Sequence, residues 1–201
     1  PVGALILLRR HTELSGLAIV NFLLYFAHHV FSAVFVLYAA YRYGWGETTV
    51  GLTLAFVGIC SALVQGLLVG PVVARFGPRH ALFAGLLIGG VGMAVYGLAP
   101  TGAWFLVGVP IMALWGIAGP AAMDMMSRRV SESEQGQLQG ANSSVRSLAG
   151  LLAPGLFSVT FAWLLVSLPG APFLLAAALM VVAAAVSLIA TAPPPPCGSC
   201  R

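Results

Sequence analysis

The stretch Gly70-Pro71-Val72-Val73-Ala74-Arg75-Phe76-Gly77-Pro78-Arg79 joins two long apolar runs, 50–73 and 81–99, and it narrows the folds open to this chain. Glycine and proline at both of its ends oppose helix continuation. Arg75 and Arg79 cannot rest cheaply in hydrocarbon, so they place the stretch on an aqueous face. Short arginine-bearing turns between apolar runs are the usual furniture of cytoplasmic loops. Composition points the same way. The chain is 60% hydrophobic and 7% charged, whereas soluble domains carry about 25% charged residues. A soluble globule is excluded on that ground. The formal net charge of +4 comes from arginine with no lysine. Those arginines sit in short loops, which is the orientation pattern of a membrane protein and not a nucleic-acid-binding surface.

Runs of about 20 apolar residues are long enough to span a bilayer. The pattern predicts an all-α integral membrane bundle of six transmembrane helices at about 15–41, 50–73, 81–99, 103–123, 135–165 and 173–191, within a domain covering 15–192. Residues 1–14 read as a cytoplasmic lead-in, and the proline-rich 193–201 as a disordered cytoplasmic tail. An even number of spans puts both termini on one side. Arg9, Arg10, Arg75, Arg79, Arg128, Arg129 and Arg201 then fall together, with only Arg42 opposite and Arg146 inside a span. The positive-inside rule assigns that side to the cytoplasm of a cell (inner) membrane. Tyr38, Tyr41, Tyr43 and Trp45 crowd the far end of the first span and read as an interfacial aromatic belt.

Polar groups inside spans carry the functional signal. Asn21, Tyr25, His28 and Ser32 recur at i, i+4, i+7, i+11 and form one stripe, with His29 beside it. Such side chains face a bundle interior or a watery cavity. The functional reading is a substrate- or proton-carrying face, since histidine titrates near neutral pH. The structural alternative is hydrogen bonding between helices, at about 0.6 kcal/mol per bond. Ser61 and Gln65, one turn apart, could bind a polar ligand or serve packing equally well. Asn142 opens the fifth span, where Arg146 is the ionisable group. Arg146 has three readings: a pair with Asp124, a site for anionic substrate groups, or snorkelling to the surface. Gly85, Gly89, Gly92 and Tyr96 share one helical face, as do Gly136, Gly140, Ser143, Ser147, Gly150 and Pro154; both stripes suit close helix packing. Pro110, Gly119, Pro120 and Pro154 can kink their helices.

No phosphate-cradling loop, catalytic triad or H-E-x-x-H motif is present, so no enzymatic activity, cofactor or catalytic residue is expected. The tail Cys197-Gly198-Ser199-Cys200 supplies two thiols, which do not complete a metal site, and Cys60 reads as a packed thiol.

The 70–79 stretch resembles the loop signature of the major facilitator superfamily, G-x-x-x-D-R-x-G-R-R, in the degenerate form found in the carboxy-terminal half. Gly70, Arg75, Gly77 and Arg79 match, while Ala74 and Pro78 stand at an acidic and a basic position. Trp45-Gly46-Glu47-Thr48-Thr49-Val50-Gly51, Met126-Ser127-Arg128-Arg129-Val130 and Glu134-Gln135-Gly136-Gln137-Leu138-Gln139-Gly140 are similar to the tetracycline-resistance group of drug:proton antiporters. The resemblance implies helices seven to twelve of a twelve-helix transporter, with the amino-terminal six-helix half as partner. It implies proton-coupled efflux of a tetracycline-like or other amphipathic drug by alternating access. Gly70, Arg75, Gly77 and Arg79 would form a cytoplasmic gate loop. Tetracycline exporters commonly hold an aspartate in the third helix of this half, where this chain has Gly89, and His28 would be the substitute titratable group. Three other readings are a same-fold transporter of a small metabolite, a non-transporting scaffold or sensor, and a six-helix homodimer.

Overall fold

In the computed structural model, residues 12–191 are described, and almost all of them are helical. Expectations on the lead-in arginines Arg9 and Arg10 and on the tail cysteines lie outside the described residues. In chain order the helices are α1 (Thr12–His28), α2 (Val30–Tyr43), α3 (Glu47–Leu63), α4 (Val69–Leu98), α5 (Gly102–Ala113), α6 (Ala118–Ser127), α7 (Gln135–Leu164) and α8 (Ala171–Ala190). A π-helical segment, Val64–Leu68, links α3 to α4, and a 3₁₀ segment, Leu114–Ile117, links α5 to α6.

Five helical stretches among the described residues are long and apolar enough to cross a membrane. One of them, Glu47–Leu98, has 52 residues, or about 78 Å at ~1.5 Å per residue, more than twice the hydrocarbon thickness of about 30 Å. Its neighbours show that it turns back. Leu52, Thr53 and Phe56 lie by Leu106, Val107 and Pro110, and Gln65 lies by Gly116, so this part runs parallel to α5. Gly85 abuts Ala118, Gly92 abuts Met112, and Tyr96 abuts Gly108, so the later part runs antiparallel to it. The reversal is at Gly77, whose φ of 78° and ψ of 157° are not helical. Only glycine takes that conformation readily. Among the described residues the bundle therefore makes six passes.

The 70–79 stretch departs from the expected loop. Helix continues through Gly70, Pro71 and Arg75, and the interruption is confined to Gly77, directly before Pro78. A proline within a helix clashes with the carbonyl four residues earlier, which for Pro71 is Leu67. The π segment spans that carbonyl and opens the ladder there, with the Val69 N–H donating to the Val64 carbonyl five residues back.

The first span also differs from expectation: it divides at His29. The His29 N–H is shared between the carbonyls of Tyr25 and Phe26 at 3.1 and 3.2 Å. The Ser32 hydroxyl donates to the His29 carbonyl at 3.1 Å, a competing bond of the kind that bends helices. Gly44, at φ 66°, closes α2 as a left-handed cap.

Packing is tightest where α4 meets α8, α5 and α6, and where α1 meets α8. Gly85, Gly89 and Gly92 are all buried on that face of α4, so the expected glycine stripe is a packing surface. The second stripe is different: Gly136 and Gly140 have nothing within 4 Å of a notional Cβ, and only Gly150 of the named glycines meets another helix, at His29.

The aromatic residues expected as a surface belt are largely internal. Tyr38 is fully buried and Tyr43 and Trp45 are half-buried, while Tyr41 alone of the group's tyrosines is exposed. They surround Phe105, which stacks on Tyr96 at 4.2 Å and lies 5.5 Å from Phe35. The Tyr38 hydroxyl donates to the Tyr96 carbonyl at 2.9 Å, and the Tyr43 hydroxyl to the Ala99 carbonyl at 3.1 Å. A backbone acceptor in reach draws these phenols inward.

The helix directions sort the charges. Arg75, Arg79, Arg128 and Arg129 fall at one end of the bundle, and Arg42 at the other. Gly16 abuts Ala190 at that same arginine-rich end, so both ends of the described chain lie there.

Candidate functional site

A cavity of about 380 Å³ lies in the bundle between α1–α2, α3 and α5. Its polar wall is His28, Ser61 and Gln65, and Trp115, Tyr96 and Met112 complete much of the rest. Each of the three polar groups had been picked out in the sequence, and the fold brings them together. Two helix irregularities meet here. The π segment carries Gln65, and the 3₁₀ segment carries Trp115 and Gly116. A tighter or wider turn re-aims the side chains it bears, which is why such segments recur at functional sites.

His28 is exposed on the cavity wall and stacks on Trp115, with ring centroids 4.4 Å apart and planes inclined by 7°. Trp115 occupies the volume beside Gly89: a Cβ added there would come within 2.6 Å of the indole Cδ1. Glycine at 89 is thus what allows the indole to reach His28.

The rest of the α1 stripe does not line this cavity. It forms successive contacts with α7 and α6 toward the arginine-rich end. Asn21 is buried and its amide donates to Asn142 Oδ1 at 2.9 Å and to Met126 Sδ at 3.6 Å. Tyr25 lies under Arg146, whose guanidinium carbon is 4.6 Å from the ring centroid. His29 turns toward Gly150, and Ser32 bonds its own helix and is exposed. For Asn21 and Asn142 the hydrogen-bonding reading is the one the geometry realises. The expected option of an Arg146–Asp124 pair is not realised: Asp124 Oδ1 accepts from Arg128 Nε at 3.0 Å, and its Oδ2 is buried without a hydrogen-bond partner among the described residues. Arg75 is exposed and Arg79 half-buried beside the Gly77 reversal.

Trp115 is the member of the site that was missed. A tryptophan far from either interface, five residues after Pro110 and directly before Gly116, was the available signal. No group of three or more potential metal ligands occurs among the described residues.

An apolar helical bundle with His28, Ser61 and Gln65 gathered on one cavity between its helices defines a multi-pass integral membrane protein. Within that class the chain belongs to the Major Facilitator Superfamily, whose family model matches residues 17–198. It is 32% identical over 162 residues to the class C tetracycline resistance protein of Escherichia coli, covering 81% of this chain and 41% of that protein. It is 29% identical over 160 residues to the class G tetracycline resistance protein of Vibrio anguillarum, covering 78% of this chain and 41% of that protein. The class E protein of Escherichia coli is 31% identical over 151 residues, or 75% of this chain and 37% of that protein. The chain thus spans about two fifths of the length of these relatives.

Proposed function

We propose that this chain is the carboxy-terminal half of a secondary transporter that exports a tetracycline-like or other amphipathic compound against inward proton flow. Its partner is an amino-terminal six-helix half, and the two halves rock about a mid-membrane cavity. The arginine-rich end, with both termini, faces the cytoplasm. The observation that carries this reading is the convergence of His28, Ser61 and Gln65 on one cavity. Polar side chains within a membrane are costly and rare away from pathways for substrate or ions. The kinship with tetracycline resistance proteins supports drug efflux as the activity.

His28 serves as the proton carrier in this reading. It is the titratable side chain on the cavity wall with an ordinary range near neutrality, and position 89 carries glycine and not an acid. The test is pH-gradient-driven tetracycline uptake into inverted vesicles carrying the native-length transporter. His28→Gln is expected to abolish gradient-driven transport while leaving substrate counterflow. Gradient-driven transport at the unaltered rate in His28→Gln would remove His28 from the role, and absence of any tetracycline movement in the unaltered protein would remove the efflux reading.

A further inference from the structure

We infer that the adjacent residues Trp115 and Gly116 form a size filter: the full side chain and the missing one together set how bulky a compound this half can take. This rests on reading the cavity as the transport site. Both residues stand in the 3₁₀ segment Leu114–Ile117, and both line the cavity. With three residues per turn, consecutive side chains point about 120° apart. The segment therefore meets the cavity with its largest side chain in one direction and with none in the next. Trp115 is a fixed wall. A Cβ at Gly89 would lie 2.6 Å from its Cδ1 and 3.2 Å from its own Cβ, and the His28 ring covers it at 4.4 Å. Its Nε1 is buried without a hydrogen-bond partner among the described residues. What Trp115 offers a ligand is therefore ring bulk and not a donor. Gripped in this way, the indole cannot retreat from a ligand without moving α4 or α1.

Gly116 is the opposite case. A Cβ there would stand 3.6 Å from Gln65 Cγ and 3.9 Å from its Nε2, which are ordinary contact distances. A methyl group would thus fit the fold and come to rest against the cavity's amide. A larger side chain at 116 would take the space beside Gln65 that glycine leaves open. The cavity, at about 380 Å³, lies near the lower end of the ~300–1,000 Å³ range of small-molecule sites, so single side chains on its wall decide what enters. The class of compound follows from the two walls. Its apolar part is compact where it meets Trp115, and its hydrogen-bonding edge reaches Gln65 and Ser61 across the cavity. A bulky substituent on that apolar part is refused.

The room in the cavity can be read chemically, without reference to transport. Ser61→Cys places a thiol on the wall facing Trp115, in a native-length transporter otherwise free of cysteine and purified in detergent. Methyl methanethiosulfonate and its benzyl analogue are compared by intact-protein mass, and the readout is the ratio of benzyl to methyl labelling rates. Trp115→Ala should raise that ratio by about tenfold or more, and Gly116→Leu should lower it by about as much. If either variant does not fold, Gly116→Ala decides, because its methyl group meets only ordinary contacts; it should lower the ratio about threefold. A ratio that stays constant in the folded variants, or moves in the opposite direction, overturns the inference. So does a thiol at position 61 that neither reagent reaches. Tetracycline counterflow on the same variants separates the two readings. Counterflow with a constant ratio sinks the filter alone. A ratio that moves as expected, with no counterflow in the unaltered protein, supports the filter as a property of the cavity and sinks the transport reading.

Discussion

Substituting Gly89 by alanine probes the site through its packing. In a helix, glycine to alanine is ordinarily favourable by up to about 1 kcal/mol. At position 89 the added Cβ would stand 2.6 Å from Trp115 Cδ1, 3.1 Å from Cγ and 3.2 Å from Cβ. Carbon atoms prefer about 3.5–4.0 Å, so the indole must move by roughly 1 Å. The tryptophan is rigid and its own Cβ is among the atoms met, so the 3₁₀ segment must move with it. Overpacking of this kind costs about 1–3 kcal/mol, and loss of the stack on His28 adds about 0.5–1.5 kcal/mol. The loss therefore exceeds the propensity gain, and Gly89→Ala should lower the melting temperature of the detergent-purified protein by several degrees. Gly140→Ala is the control, since nothing lies within 4 Å of its notional Cβ; it should be neutral or stabilising. Trp115→Ala opens the space, so Gly89→Ala should cost little in that background. If Gly89→Ala melts with Gly140→Ala, or costs the same with and without Trp115, the indole does not occupy the place assigned to it.

Further outcomes follow from the same contacts. Gly77→Ala places a Cβ at φ 78°, ψ 157°; such backbone costs of order 1–3 kcal/mol, and reduced melting temperature and membrane yield are expected, with little change from Gly70→Ala, which is helical. Asn21→Ala and Asn142→Ala should be coupled, because their amides bond at 2.9 Å; a double-mutant cycle on thermal stability should return about 0.6–1.7 kcal/mol, and additivity would deny the bond. Phe105→Ala removes the centre of an aromatic cluster that includes Tyr96 at 4.2 Å; the expected loss is about 3–5 kcal/mol, read as a melting shift larger than that of exposed Trp104→Ala.

Long apolar runs and arginine placement made the membrane class legible, because lipid permits few backbone arrangements and charges have few places to go. The α4 glycine stripe was legible for a similar reason: periodicity of 3.6 fixes its face, and buried Gly85, Gly89 and Gly92 lie on it. Tertiary choices were less so. Pro71 signals a helix end in isolation, but the π turn before it absorbs the clash. Tyr38 signals an interface, but the Tyr96 carbonyl lies within its reach. The α1 stripe marked one helix face without dividing it. His28 reaches the cavity, whereas Asn21 and Tyr25 are taken up by Asn142 and Arg146 of α7. That division depends on where a neighbouring helix sits, which no local pattern records.

The uneven packing of the bundle bears on how such a cavity could work. In the 52-residue stretch Glu47–Leu98 the most apolar window is 11% buried, against 44% for Gly102–Ser127. The buried face of α4 is clamped to α5, α6 and α8 by contacts that leave no room for a methyl group, as at Gly92 on the Met112 backbone. Close packing of this kind ties those helices to one another. Helix α3 has few buried residues, Val50 and Thr53 near its start, and the π segment adds Val64. Yet Ser61 and Gln65 come from this loosely held side, and His28 and Trp115 from the other. The cavity thus has one wall on the glycine-packed core and the facing wall on a helix that buries few of its residues within this chain.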